Sequence, residues 1–194
     1  MSVAAGSRPT TRDRLLAAAR ELIEEGGYGS ASVVAIAERA GVASGTVYRH
    51  FPSKAELFLE VFRAVCAGEE RAMLSAADEA GTSAVDRLEA VLVTFARRAL
   101  QNRSLAWALL AEPVDPLVDA ERLAYRERYA SLVAAELRAA VEAGEIPPQN
   151  VDFTAAALVG GCGEALVGPL SSVDGSDRVV AAIHTFVRRA IGAE

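Results

Sequence analysis

Ser32-Val33-Val34-Ala35-Ile36-Ala37-Glu38-Arg39-Ala40-Gly41-Val42-Ala43-Ser44-Gly45-Thr46-Val47-Tyr48-Arg49-His50-Phe51 reads as two short helices joined by a tight turn. Val33, Ile36, Ala37 and Ala40 recur at i, i+3, i+4 and i+7, one apolar helix face, and Ser32 before them is a residue type that caps a helix start. Gly41 ends that helix, because glycine takes the left-handed conformation of a C-terminal cap at no steric cost. The second helix covers about 44–50 and holds one clearly apolar residue, Val47, with Phe51 a turn further on. At about 100° per residue, the side opposite Val47 presents Gly45 and Arg49, flanked by Thr46 and Tyr48. Small, hydroxyl and cationic groups around one apolar anchor suit the second helix of a helix-turn-helix lying in a DNA major groove. By spacing alone, an ordinary helical hairpin with a solvated outer face fits equally well.

The flanking sequence separates the two readings. Pro52-Ser53-Lys54-Ala55-Glu56 opens another helix, with Ser53 and Glu56 at the spacing of a capping box. Lys54, the only lysine in 194 residues, falls in its first turn, where free backbone N–H groups and the helix dipole already favour an anion. Upstream, Thr10 or Thr11 caps a helix over about 12–26, with Leu15, Ala19, Leu22 and Ile23 facing inward and Gly26-Gly27 as its stop. Residues 1–54 carry seven basic against five acidic groups, a net +2, whereas the remainder carries 13 against 21, a net −8. A basic head on an acidic body suits a nucleic-acid reader. Arg8, Arg12 and Arg14 are candidates to reach phosphate or the minor groove, with solvated surface charge as the competing reading.

The combination Ile36-Ala37, Ala40-Gly41-Val42, Gly45-Thr46-Val47-Tyr48, His50-Phe51 and Ser53-Lys54 resembles the DNA-binding domain of TetR-type transcriptional regulators. The resemblance covers roughly residues 10–60. It departs at Ala43, where the family usually carries a serine that caps the recognition helix. Ser44 is the alternative cap one residue later, so the start of that helix stays open. The resemblance implies an all-α protein with a three-helix helix-turn-helix head and a helical ligand-binding and dimerisation body. It divides the chain into a flexible arm over 1–9, a DNA-binding domain over 10–55 and a body over 56–194. It further implies that the helix beginning at Lys54 couples the body to the spacing of two reading heads. Ser44, Gly45, Thr46 and Arg49 are then expected at base edges, and Tyr48, His50 and Lys54 at phosphates.

The body is rich in alanine and poor in β-branched runs, which favours helices throughout. Amphipathic stretches follow after Ser83, over about 104–112, and from the Asp115-Pro116 start to Gly144. Residues 153–168 are dense in alanine and glycine, a cost in helix propensity that close approach of another helix would offset. These residues and the stripe at 177–191 are expected, by the resemblance, to form a homodimer interface, with intramolecular packing as the plainer reading. Phe95, Trp107, Leu110, Tyr125 and Tyr129 are candidates to line a small-molecule cavity, with Glu112, Arg122, Arg126 and Glu164 as polar orienting groups. A plain hydrophobic core is the competing reading for each aromatic.

The sequence offers no enzymatic constellation. Its two histidines, His50 and His184, lie far apart, and no metal-ligand spacing occurs. Gly160-Gly161-Cys162-Gly163 lacks the strand and the GK[ST] of a nucleotide loop. Cys66 and Cys162 have no CxxC spacing and read as buried free thiols. No apolar run reaches membrane-spanning length, and the N-terminal residues lack the apolar core of a secretory signal. Together with the resemblance to TetR-type regulators, this leads to the expectation of a cytoplasmic homodimer without cofactor or metal. The resemblance implies that it binds a palindromic double-stranded operator and an unknown small-molecule effector, most simply as a repressor released by that effector. The alternative is a helical sensor or activator without ligand-released repression.

Overall fold

The computed structural model describes residues 9–168 and 175–193. Among them the chain forms nine α-helices and no strand. These are α1 (Thr11–Ser30), α2 (Val33–Arg39), α3 (Ser44–His50), α4 (Lys54–Glu79), α5 (Ala84–Gln101), α6 (Arg103–Leu110), α7 (Pro116–Glu142), α8 (Val151–Val167) and α9 (Ser176–Ile191). The all-α architecture expected from the sequence is what forms. Arg8, with nearly all of the expected arm, and most of the loop before α9 lie outside the described residues.

Local chemistry sets most helix starts. Thr10 and Asp13 form a reciprocal capping box on α1, and the hydroxyls of Ser32, Ser53 and Ser83 accept the N–H groups of Ala35, Glu56 and Asp86. Asp115 caps α7 with Pro116 in its first turn. These side chains satisfy donors that a helix start otherwise leaves bare. A further cap comes from 60 residues away. The Glu145 carboxylate accepts the N–H groups of Val85 (2.9 Å) and Ala84 (3.1 Å) and the Ser83 hydroxyl (2.9 Å). Those bonds hold its carboxyl below the usual carboxylate range.

Two cores share α4. Leu57, Phe58, Val61, Phe62, Val65 and Cys66 join the buried faces of α1, α2 and α3, together with Leu105, Ala108 and Leu109 of α6 and Val118 and Tyr125 of α7. One turn and more beyond, Met73 and Ala77 join the core built by α5, α7, α8 and α9. The core of the head therefore continues past residue 55 into α4, α6 and α7. Tyr129 packs against both clusters, and the space between them is where a cavity opens.

Candidate functional site

The helix-turn-helix closes as its residues dictate. Ile36, Ala37 and Ala40 are buried on α2. The chain then turns at Gly41 (φ +65°), where the Gly41 N–H reaches the Glu38 carbonyl (3.0 Å) and the Val42 N–H reaches that of Ala37 (2.9 Å). This is the Schellman pattern, and it needs a left-handed residue at Gly41. Arg14 of α1 adds a donor to the Ala40 carbonyl, with the Gly41 carbonyl at 3.4 Å.

On α3, Ala43 takes the N-cap position with extended backbone and no side-chain acceptor, so Ser44 is the first helical residue rather than the cap. The Ala43 carbonyl accepts the Thr46 N–H at 2.8 Å. Val47 is buried, and each such apolar side chain contributes roughly 1.5–3 kcal/mol. Ser44, Gly45, Tyr48, Arg49 and His50 are exposed and Thr46 is half-buried. An added Cβ at Gly45 would meet nothing within 4 Å. Arg49 donates to the Thr46 hydroxyl at 3.0 Å, which aims the guanidinium along the open face.

Lys54 sits differently from its neighbours. Its Nζ donates to the Tyr28 carbonyl (2.9 Å) and lies 3.7 Å from the centre of the Tyr28 ring. Burial lowers its pKa, while the Glu112 carboxylate opposes that shift. An ammonium has three donors, so the Tyr28 bond leaves capacity for an anion.

Much of the head's formal charge is spent internally. Arg12 pairs with Glu60 and lies over the Phe51 ring, 5.1 Å from its centre. Arg39 forks onto both oxygens of Glu25 (2.9 Å each) and reaches Glu21 at 3.2 Å. Arg20 pairs with Glu24. Arg12 and Arg14, expected as candidates for DNA, are thus engaged with a carboxylate of α4 and with the carbonyls of the turn after α2.

In the body, a cavity of about 170 Å³ is walled by α4, α5, α6, α7 and α8. Phe95, Leu110, Tyr125, Tyr129 and Glu164 of the expected set line it, as do Arg122 and Arg126. Trp107 and Glu112 do not: the Trp107 side chain faces outward, 46% exposed, and Glu112 turns toward α1. Residues outside the expected cavity set complete the wall, among them Phe62, Cys66, Glu69, Arg98, Asn102, Leu105, Leu109, Val159 and Gly163. Their only sequence signal is spacing. Each helix contributes positions three or four apart, as any buried face does.

Most charges at the cavity are already neutralised. Arg98 forks onto Glu69. Arg122 binds Asp119 (2.6 Å) and the carbonyls of Leu109 (2.7 Å), Glu112 (2.9 Å) and Ala108 (3.3 Å). Arg126 reaches only the Leu110 carbonyl, at 3.2 Å, and has no carboxylate partner among the described residues. The hydroxyls of Tyr125 and Tyr129 point at the α4 carbonyls of Arg63 (3.4 Å) and Cys66 (3.3 Å). Burial pushes the Tyr129 hydroxyl pKa upward and the Cys66 thiol up to about 12, so both stay protonated at neutral pH. Cys162, pushed to about 11 by burial, is equally inert. His184 lies 3.0 Å from the carboxylate of Glu89, which also accepts from Arg188. Among the described residues no cluster of ligating side chains suited to a metal ion occurs, and no helix is long and apolar enough to cross a membrane.

Comparison with known proteins agrees with this geometry. Residues 15–61 match the profile of bacterial regulatory proteins of the tetR family, and residues 81–166 match that of the tetracyclin repressor-like C-terminal domain. The chain is 31% identical over 170 residues to the HTH-type transcriptional regulator UidR of Escherichia coli K12, covering 86% of this chain and 83% of UidR. Its fold is similar to that of the fatty acid degradation regulator FadR of Bacillus halodurans (TM-score 0.79, 20% identity, 93% of this chain and 96% of that one). It is also similar to FadR of Bacillus subtilis in complex with stearoyl-CoA (TM-score 0.75, 22% identity, 92% and 96%). These relatives are regulators, a non-enzymatic class. A helix-turn-helix with an open polar face on a helical body, matched by profile along most of its length, makes this chain a DNA-binding transcriptional regulator of the TetR family.

Proposed function

We propose that the chain works as a cytoplasmic homodimeric repressor that binds a palindromic operator and is released by a small-molecule inducer. The observation that carries this reading is the α3 surface, where Val47 alone is buried and Ser44, Gly45, Tyr48, Arg49 and His50 face outward. In this reading Ser44, Gly45, Thr46 and Arg49 meet base edges, with Arg49 forking onto a guanine. Tyr48, His50 and the remaining donors of Lys54 hold phosphates and set the register. The head is taken as residues 10–55 and the body as 56–194.

The dimer is proposed to form through α8 and α9. Phe153 (73% exposed) stands on α8 with exposed Ala156, Ala157, Gly160 and Gly161, and Phe186 (48% exposed) stands on α9. A Cβ added at Gly160 or Gly161 would meet nothing within 4 Å. Glycine in a helix costs up to about 1 kcal/mol relative to alanine, and among the described residues no contact requires it here. A second helix packed closely on this face supplies the reason.

The inducer is taken up by the body cavity. At about 170 Å³ it is smaller than a typical drug pocket of roughly 300–1,000 Å³ and close to an apolar cavity of about 150 Å³ that holds benzene. It therefore suits a compact apolar group, with a polar or anionic end meeting Arg126. Stearoyl-CoA in the Bacillus subtilis neighbour is an amphiphile of that general kind, although its chain is far longer than this cavity holds.

Selection of random duplexes with the purified full-length protein tests the reading. Enrichment of a palindrome is expected, and recovery of no preferred sequence at low salt would overturn it. Short aliphatic and aromatic carboxylates are then screened for a rise in melting temperature, since binding to the folded state alone stabilises it. Transcription from the selected operator in a reporter strain distinguishes repression from activation.

A further inference from the structure

The carboxylate of Glu112 crosses from the body to the head. It accepts the backbone N–H of Tyr28 at 2.8 Å, a bond that spans 84 residues. The approach passes beside a glycine whose left-handed backbone disfavours other residues. Gly27 has φ +76°, and a Cβ built there would stand 2.9 Å from Glu112 Oε2. On the body side, the Glu112 backbone is held at both ends. Its N–H donates to the Trp107 carbonyl of α6 (2.9 Å), and its carbonyl accepts from Arg122 of α7 (2.9 Å). Any displacement of the end of α6 must therefore carry Glu112 with it. That helix supplies Leu105, Ala106, Leu109 and Leu110 to the cavity wall.

On the head side, Tyr28 is the hub. Its carbonyl takes the Lys54 ammonium at the first turn of α4 (2.9 Å), and its ring meets Phe58 edge-on at 4.7 Å. The path from the cavity wall toward the reading helix thus runs from α6 through Glu112, the Tyr28 backbone and Lys54 to the start of α4, four residues after α3.

The geometry points to Glu112 as a positioning residue that latches α6 to the Tyr28 backbone, so that filling the cavity shifts the DNA-reading head. The inference rests on the cavity and α3 having the roles proposed above. The hydrogen bond, and not the carboxylate's charge, carries the coupling. Glutamine keeps both the reach and an acceptor oxygen, whereas aspartate keeps the charge but is one methylene too short.

The test uses the full-length protein, with Ala106→Phe as the cavity-filling probe, in the parent, Glu112→Gln and Glu112→Asp backgrounds. Amide exchange at Tyr28, followed by NMR, is expected to quicken about tenfold in Glu112→Asp and little in Glu112→Gln, as loss of the hydrogen bond in the first and its retention in the second imply. Ala106→Phe is expected to quicken Tyr28 exchange in the parent and in Glu112→Gln but to add nothing in Glu112→Asp. Affinity for the selected duplex should fall about tenfold with Ala106→Phe in the first two backgrounds and less than about twofold in Glu112→Asp. Equal loss of affinity in all three backgrounds overturns the latch, and so does Tyr28 exchange indifferent to Glu112→Asp. If the parent selects no duplex, the regulatory reading of α3 fails, and the exchange measurements still decide the latch on their own.

Discussion

Arg49 and Lys54 carry the same formal charge five residues apart, at the end of α3 and the start of α4, yet their surroundings differ. Arg49 is exposed and steadied by the Thr46 hydroxyl, a guanidinium fork presented to whatever lies against α3. Replacing it with alanine is expected to relax base preference at one position in each half-site by about 1–3 kcal/mol, read from competition between single-base variants of the selected duplex. Lys54 is half-buried on Tyr28. Lys54→Ala is expected to weaken all duplexes alike and to reduce the slope of log affinity against log salt by about 1. Equal behaviour of the two variants would contradict the division. The exposed residues of α3 were legible in the sequence because the periodicity around Val47 fixes which way each points. The inward turn of Lys54 and the self-pairing of Arg12, Arg14 and Arg39 were not, because their partners lie 14 or more residues away. Counting charge along the chain registers the head's basic excess but not how much of it remains free.

At the scale of the element, helix starts follow side chains that the sequence displays, and α3 is the exception. Ala43 holds the extended backbone of an N-cap, φ −70° and ψ 145°, without an acceptor to fill it. Ala43→Ser should therefore add the missing bond without moving the backbone. The expected gain is about 1 kcal/mol in stability, measured by denaturant unfolding of the full chain. No gain would mean that the first turn of α3 already satisfies its donors in another way. Helices as units were readable because capping and apolar period are local. The cavity was not, because five helices each supply a few ordinary-looking positions and only their packing leaves space between them. Glu112 shows the same limit. Its place after α6 suggested a polar group for a ligand, but the break in α1 at Gly26 and Gly27 brings the Tyr28 N–H within its reach instead.

For the whole molecule the decisive surface is the one formed by α8 and α9. Two large aromatics stand exposed there among alanines and glycines, on helices whose other faces are buried against α5 and α7. A two-fold interface repeats each of its residues, so one substitution near the axis is made twice. Phe186→Glu would place two carboxylates in the proposed apolar contact, and it is expected to convert the proposed dimer to a monomer in sedimentation without altering helix content. The consequence for DNA follows from linkage of the two heads. A dimer binds its second half-site at the effective concentration set by the first, which multiplies affinity by roughly 10²–10⁴. The monomer should lose about that factor on the full palindrome and almost nothing on an isolated half-site. Loss on both would mean that Phe186 supports the fold of the chain rather than its pairing. A dimeric mass unchanged by the substitution would move the interface away from α9.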